Sequence, residues 1–256
     1  MSTWVLEVGN TRAKWAKFPS AAPVNAAPEL VKHAPAGSPE QASIWLADVA
    51  PGDRVMVTGS GHLEPWVQTF PDAWVLRPGD ETPLPTDVRE PLRLGLDRVA
   101  NAWAVLHGAV PQAPALDAWL VVDVGTCVTV DVIRDGRHLG GTVSPGAEMR
   151  LTAMSTGTAN LPRPTFPADE IPALARVEAF GLNTEEALGA GAWGGVSSEI
   201  LGKWEAMRQE VPNLGVILTG GDAEHLELRF IRPKFADAHL TLKGYHALFN
   251  HAHPPR

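Results

Sequence analysis

Cysteine is nearly absent from this chain. Cys127 is the only one in 256 residues, which excludes an intrachain disulfide framework and points to a reducing compartment. Tyrosine is as scarce, with Tyr245 standing alone beside nine tryptophans. No apolar run approaches the ~20 residues that a bilayer-spanning helix needs. The apolar stretch Trp4–Val8 follows the start without a charged leader or cleavage site, so a cytoplasmic protein off the membrane is expected. Positive charge is also short. Lys and Arg number 21 against 29 Asp and Glu, a formal charge of −8, and no Lys/Arg cluster breaks the pattern. Broad binding to nucleic acid or an anionic membrane needs the opposite field. A Walker loop, Gly-x-x-x-x-Gly-Lys-Ser/Thr, is missing as well.

What is present is a large apolar fraction, 45%, enough to bury a substantial core. The length suits one large domain or two small ones. The tryptophans, spread along the chain, are expected in that core rather than as a stacking platform. The clearest organisational signal is an internal echo. Val5-Leu6-Glu7-Val8-Gly9-Asn10-Thr11 runs into Arg12–Phe18, and Val121-Val122-Asp123-Val124-Gly125-Thr126 runs into Cys127–Ile133. Each reads as a strand, an acid, a polar glycine turn and a second strand. Two such hairpins, one opening each half, predict two lobes of related architecture, 1–112 and 113–256. The Pro-containing segment His107–Ala118 supplies the boundary.

Coarser features fill in the rest. Asp97–Leu106 has the apolar spacing of an amphipathic helix, and Thr184–Met207 reads as one or two helices, with Gly189–Gly195 marking close packing or a break. Val216-Ile217-Leu218 is a short buried strand stopped by Thr219-Gly220-Gly221. Ala21–Pro39 reads as an irregular excursion, Gly140–Gly146 as a loop approached closely by something else, and His251–Arg256 as a frayed tail. Cys127 has no evident catalytic partner and reads as a small buried residue.

Three segments could carry chemistry. The Gly9-Asn10-Thr11 turn offers backbone N–H groups that suit phosphate oxygens, and Arg12 and Lys14 supply the charge a polyphosphate needs. Glu7 could hold hydrated Mg²⁺, a hard cation that prefers oxygen. Alone, this turn is equally an ordinary β-turn with an exposed acid. Asp123-Val124-Gly125-Thr126 repeats it, with Thr129 and Asp131 further along. Gly95-Leu96-Asp97-Arg98 is, by itself, a helix start with an acid at the positive end. Beside two phosphate turns, the same residues match phosphoryl transfer to a hydroxyl: a carboxylate takes the proton and an arginine steadies the anion. Leu218–Asp222, with its paired glycines Gly220 and Gly221, has a shape suited to lying under an adenine or ribose, or is only a tight turn.

Taken in order, these segments resemble the type III pantothenate kinases of the actin-like and sugar-kinase ATPase superfamily. Glu7-Val8-Gly9-Asn10-Thr11-Arg12-Ala13-Lys14 resembles the first phosphate motif, Gly95–Arg98 the Gly-x-Asp-Arg substrate motif and Asp123–Thr126 the second phosphate motif. Gly140–Gly146, Thr158–Pro162, Gly181–Thr184 and Thr219–Gly221 resemble four further family segments. The resemblance implies an α/β protein with two lobes of ribonuclease H-like, actin-like ATPase fold and a nucleotide cleft between them. It implies ATP-dependent phosphorylation of the terminal hydroxyl of pantothenate to 4'-phosphopantothenate, the first step of coenzyme A biosynthesis. In that frame Asp97 is the general base and Arg98, with Gly95 and Leu96, contacts pantothenate. The Glu7–Lys14 turn, Thr126, Gly220 and Gly221 hold ATP. Glu7 serves Mg²⁺ directly or through water, and Asp123 holds K⁺ or NH₄⁺. Thr184 reaches the substrate of a second copy across a homodimer.

Two positions depart from the family. Glu7 stands where Asp is usual, and Val88 stands where a substrate-contacting tyrosine is usual. They keep two alternatives open: a relative that retained the fold for a regulatory or accessory role, and a kinase of another small hydroxylated substrate.

Overall fold

The computed structural model describes residues 1–110 and 116–254 and divides the chain into two compact units. One comprises Met1–Ala113, Gly136–Leu139 and His239–Arg256; the other comprises Pro114–Asp135 and Gly140–Ala238.

The first unit is built on a sheet of β1 (Ser2–Val8), β2 (Arg12–Pro19), β3 (Leu30–Pro35), β4 (Arg54–Thr58) and β5 (Trp74–Leu76). Its order is β3-β2-β1-β4-β5, with β1 antiparallel to β2 and parallel to β4. Alternation along β1 and β2 puts Trp4, Leu6, Ala13 and Trp15 on one face. That face meets α1 (Gln41–Leu46) and α2 (Glu64–Val67). There a run of rings, Trp4–Trp15 at 4.8 Å, Trp15–Trp45 at 6.1 Å and Trp45–Trp66 at 5.6 Å, fills the core. All four are buried, so tryptophan serves packing here, as expected. After β5 comes α3 (Leu96–Leu106).

The second unit repeats the plan with β6 (Ala118–Val124), β7 (Cys127–Arg134), β8 (Arg137–Pro145, whose first three residues count with the first unit), β9 (Leu214–Thr219) and β10 (Lys234–Ala236). Here β6 is antiparallel to β7 and parallel to β9, and β10 is parallel to β9. The order β8-β7-β6-β9-β10 matches the first sheet strand for strand. The sequence echo is therefore the visible part of a structural duplication. Between β8 and β9 lie α4 (Ala147–Gly157), α5 (Ile171–Leu174) and α6 (Thr184–Arg208). Ile200 and Trp193 of α6 join Val122, Val130 and Leu218 in this unit's core. The glycine patch does not break α6. A Cβ at Gly189 would stand 2.6 Å from Phe166 Cζ, and one at Gly194 would stand 2.8 Å from Arg176 O, so the glycines permit close packing.

Several expectations need correction. The boundary at 112/113 lies outside the described residues, and the second half of the chain is not one lobe. Its last helix, α7 (Leu240–Ala252), belongs to the first unit. There it crosses α3 so closely that a Cβ at Gly244 would lie 2.0 Å from Ala100 O. Nor is His251 onward simply frayed. His251 and Ala252 finish α7, and the His253 ring packs 5.3 Å from both Trp74 and Phe249. Within Ala21–Pro39, Leu30–Pro35 is β3, because Lys17 to Arg12 of β2 offer it a paired edge. Gly140–Pro145 is strand rather than loop, and the close neighbour foreseen there is β7: a Cβ at Gly141 would meet Val130 O at 2.2 Å. Cys127 is half-buried rather than buried, since it opens β7 beside the turn.

Candidate active site

The two acid-glycine turns occupy equivalent places. In the first, β1 ends Glu7-Val8 and β2 resumes at Arg12, with Gly9 N–H donating to Arg12 O at 2.9 Å. In the second, β6 ends Asp123-Val124 and β7 resumes at Cys127, with Gly125 N–H donating to Cys127 O at 3.0 Å. The first turn is one residue longer. Antiparallel register pairs Glu7 with Lys14 and Asp123 with Thr129. Parallel register pairs Glu7 with Thr58 and Asp123 with Thr219. Each acid thus lies in line with a hydroxyl residue on the next parallel strand.

Glu7 is buried at 8% exposure, and Lys14 Nζ compensates it from 3.0 Å. That approach is an ion pair, not an aligned hydrogen bond, since Glu7 Oε2 lacks a hydrogen-bonding donor. His33 is paired with Lys14 across β2 and β3. Desolvation holds its imidazole below the usual histidine range, the Lys14, Arg12 and His239 charges push the same way, and Glu7 opposes them. At the end of this sheet Arg12 and Lys14 are therefore the cations beside one buried acid, a setting for an anionic ligand. Sequence reasoning found Arg12 and Lys14 but missed His33 and His239, which come from distant segments.

In the second unit, Gly220 takes φ +95°, and a Cβ on it would lie 2.5 Å from Asp123 Oδ1 and 2.2 Å from Val124 O. Its lack of a side chain thus serves the Asp123 turn directly. Gly221 has open space at its Cβ position. Thr126 is exposed at the turn.

Gly95-Leu96-Asp97-Arg98 forms the N-terminus of α3. Gly95 is the N-cap and Asp97 lies in the first turn, where the helix dipole favours a carboxylate. Asp97 Oδ1 accepts from Arg98 N–H at 2.8 Å and folds back over Gly95, where a Cβ would stand 2.7 Å away. The segment leading to it is clasped at Thr86–Val88. His138, fully buried, donates its N–H to Pro85 O and accepts at its own O from Asp87 N–H, both at 2.9 Å. Its Nδ1 lies 2.9 Å from Thr86 Oγ1, and Arg137 Nε donates to Asp87 Oδ1 at 2.9 Å. A cavity of about 550 Å³ under this strap is lined by Leu84, Thr86, Leu92, Leu94 and Arg137 among others.

Thr184 is the first residue of α6 and is exposed. Asn183 caps that helix by accepting from Glu186 N–H at 2.9 Å, while Glu186 reaches back to Leu182 N–H at 2.8 Å, a reciprocal cap. The structure therefore groups Glu7 with Lys14, Asp123 with Gly220, and Asp97 with Gly95 and Arg98, and sets Thr184 at a helix start of its own.

Residues 4–206 match the family described as type III pantothenate kinase. The chain is 32% identical over 265 residues to the type III pantothenate kinase of Paracidovorax citrulli, covering 97% of this chain and 98% of that one. The chain belongs to the type III pantothenate kinase family. The enzyme of that name from Bacteroides fragilis is 38% identical over 173 residues, which span 66% of each protein. Among solved structures, a Campylobacter jejuni protein described as a Baf family transcriptional activator superposes with a TM-score of 0.61 at 18% identity. That match covers 97% of this chain and 98% of the other. The activator of 2-hydroxyisocaproyl-CoA dehydratase from Clostridium difficile, with bound ADPNP, gives 0.51 at 14%, covering 97% and 92%. These likenesses establish the fold alone: the two-unit α/β fold of the actin-like and sugar-kinase ATPases. No helix among the described residues is long and apolar enough to cross a membrane.

Proposed function

We propose that this protein uses ATP to phosphorylate the terminal hydroxyl of pantothenate, giving 4'-phosphopantothenate for coenzyme A synthesis. The observation that carries this reading is the Gly95–Arg98 helix start, where Asp97 is held by Arg98 N–H over a glycine that leaves room for its carboxylate. Asp97 accepts the hydroxyl proton as the phosphoryl group arrives, and Arg98 steadies the anionic acceptor. The Gly9–Thr11 turn with Arg12 and Lys14 is assigned to the nucleotide in the first unit, and Thr126, Gly220 and Gly221 are assigned to it in the second.

Mg²⁺, when bound, neutralises charge on the phosphates. Among the described residues no group of three or more His, Cys, Asp or Glu side chains could hold a metal. This suits an ion that takes most ligands from phosphate and water. Glu7, engaged by Lys14, fits such an ion through water. Asp123 is assigned the monovalent cation, K⁺ or NH₄⁺. A homodimer lending Thr184 across its interface is supported by Phe180 and Leu182 beside it, which are 90% and 96% exposed. Large apolar side chains in that state favour a partner surface. The acidic balance of the chain, −8, supports a small-molecule acceptor over nucleic acid.

Pantothenate-dependent ADP release, assayed with Mg²⁺ in K⁺ and in Na⁺ buffers, tests the reading. Turnover that requires pantothenate, stops on Mg²⁺ chelation and slows in Na⁺ is expected. Glu7 and Val88 favour the second reading, an accessory relative or a kinase of another small alcohol. Silence toward pantothenate from folded protein would select it. Gly95→Ala probes the site itself. The added methyl must push Asp97 aside, so kcat is expected to fall roughly tenfold to a hundredfold while the melting temperature stays nearly constant.

A further inference from the structure

The duplication exposes an element that the first hairpin alone does not. Directly after β4 comes Thr58-Gly59-Ser60-Gly61, and directly after β9 comes Thr219-Gly220-Gly221-Asp222. Thr58 is in register with Glu7 and Thr219 with Asp123. Gly61 N–H donates to Val8 O at 2.8 Å, and Asp222 N–H donates to Val124 O at 3.0 Å. In each unit, then, a backbone amide three residues beyond the threonine holds the carbonyl between the acid and the glycine of the turn.

The contact is too close for any side chain. Gly59 takes φ +130°, and a Cβ on it would lie 2.2 Å from Val8 O; a Cβ on Gly61 would lie 2.3 Å from Gly9 O. Gly220 meets Val124 O at the same 2.2 Å. Chain geometry used twice, at the same carbonyl, in two segments with different sequences, marks a requirement of the turn rather than an accident of one loop. Fixing Val8 O fixes the Val8–Gly9 peptide plane, and through the Gly9-to-Arg12 bond it fixes the mouth of the turn at Asn10 and Thr11.

From this we infer that the Thr58–Gly61 loop braces the first turn for a nucleotide polyphosphate, with Gly59 and Gly61 as positioning residues. The inference rests on the reading that this turn binds ATP. Gly61 lacks a left-handed φ, so alanine fits its backbone and acts only through the clash with Gly9 O. Relieving that clash moves the turn by about an ångström, the scale at which positioned groups lose roughly a hundredfold.

The experiment measures ATP binding by calorimetry, without acceptor, in the full wild-type chain and in Gly61→Ala. Gly202→Ala, where a Cβ meets nothing within 4 Å, is the control. The expected result is a tenfold to hundredfold weaker ATP affinity in Gly61→Ala, with KM for pantothenate little changed. Unaltered ATP affinity in folded Gly61→Ala overturns the brace and leaves the nucleotide reading standing. Absence of ATP binding in the wild type removes the nucleotide reading, and the brace with it. Should Gly61→Ala fail to fold, amide exchange in the wild type decides. Protection of residues 58–61 is expected to rise with ATP and not with pantothenate alone, and an unchanged rate overturns the brace.

Discussion

Asp97→Asn is expected to lower kcat by about 10²–10⁴-fold while leaving ATP affinity and the fold nearly as they are. The side chains are the same size, and the asparagine amide oxygen can still accept from Arg98 N–H, now at 2.8 Å from Asp97 Oδ1. What disappears is the basic oxygen that would take the hydroxyl proton. Losing a negative charge in the first turn of α3 costs only about 0.3–1 kcal/mol of helix-dipole interaction. A steady-state assay with a thermal melt on the same preparation separates the two effects. Retained turnover would remove Asp97 from the proton transfer. A parallel loss of stability and turnover would make it a helix cap and no more.

The second large effect is on stability. Trp15→Ala is expected to destabilise the first unit by about 3–5 kcal/mol, the usual cost of emptying a buried aromatic site. Trp15 is 0% exposed, stacks between Trp4 and Trp45, and packs 5.2 Å from Phe70. Its Nε1–H donates to Asp48 Oδ2 at 3.2 Å, so the substitution also removes a hydrogen bond. Against a typical total stability of about 5–15 kcal/mol, the loss should appear as a melting temperature lower by roughly 10 °C. Trp15→Phe should recover most of it. Because Lys14 and Arg12 lie on the same strand, nucleotide binding should fall with unfolding and return on cooling. A melt unchanged by Trp15→Ala would contradict the role given to the aromatic stack.

Much of this was legible in the sequence, for physical reasons that can be named. The hairpins were visible because an apolar run, an acid and a polar glycine turn are local features, and each turn closes on itself within a few residues. The start of α3 was visible because glycine followed by an acid is a local helix signal. Long-range pairing hid the rest. β3 was missed because Leu30–Pro35 carries Lys32, His33 and two prolines nearby, and only the edge of β2 makes it a strand. The Gly140–Pro145 strand read as a loop because its glycines answer to the neighbouring β7, not to their own sequence. The Thr58–Gly61 loop was overlooked although Val55-Met56-Val57-Thr58-Gly59 and Val216-Ile217-Leu218-Thr219-Gly220 repeat one pattern. The hydrophobic letters differ at most positions, and the shared threonine and glycine gain meaning only from register.

The placement of α7 bears on how the molecule is made. The sheet of the first unit is translated first, yet the helix that covers α3 at Gly244 and stacks His246 on Phe18 at 4.4 Å is translated last among the described elements. While the ribosome works through the intervening residues, the nascent first unit waits with an apolar face open to water. The second unit, nearly continuous in the chain, has its strands and helices in hand earlier. The unit whose sheet comes first in the chain is therefore the one whose last helix comes latest. Contacts spanning nearly two hundred residues, such as Arg54 to Asn250, give that closure a large loop-closure cost.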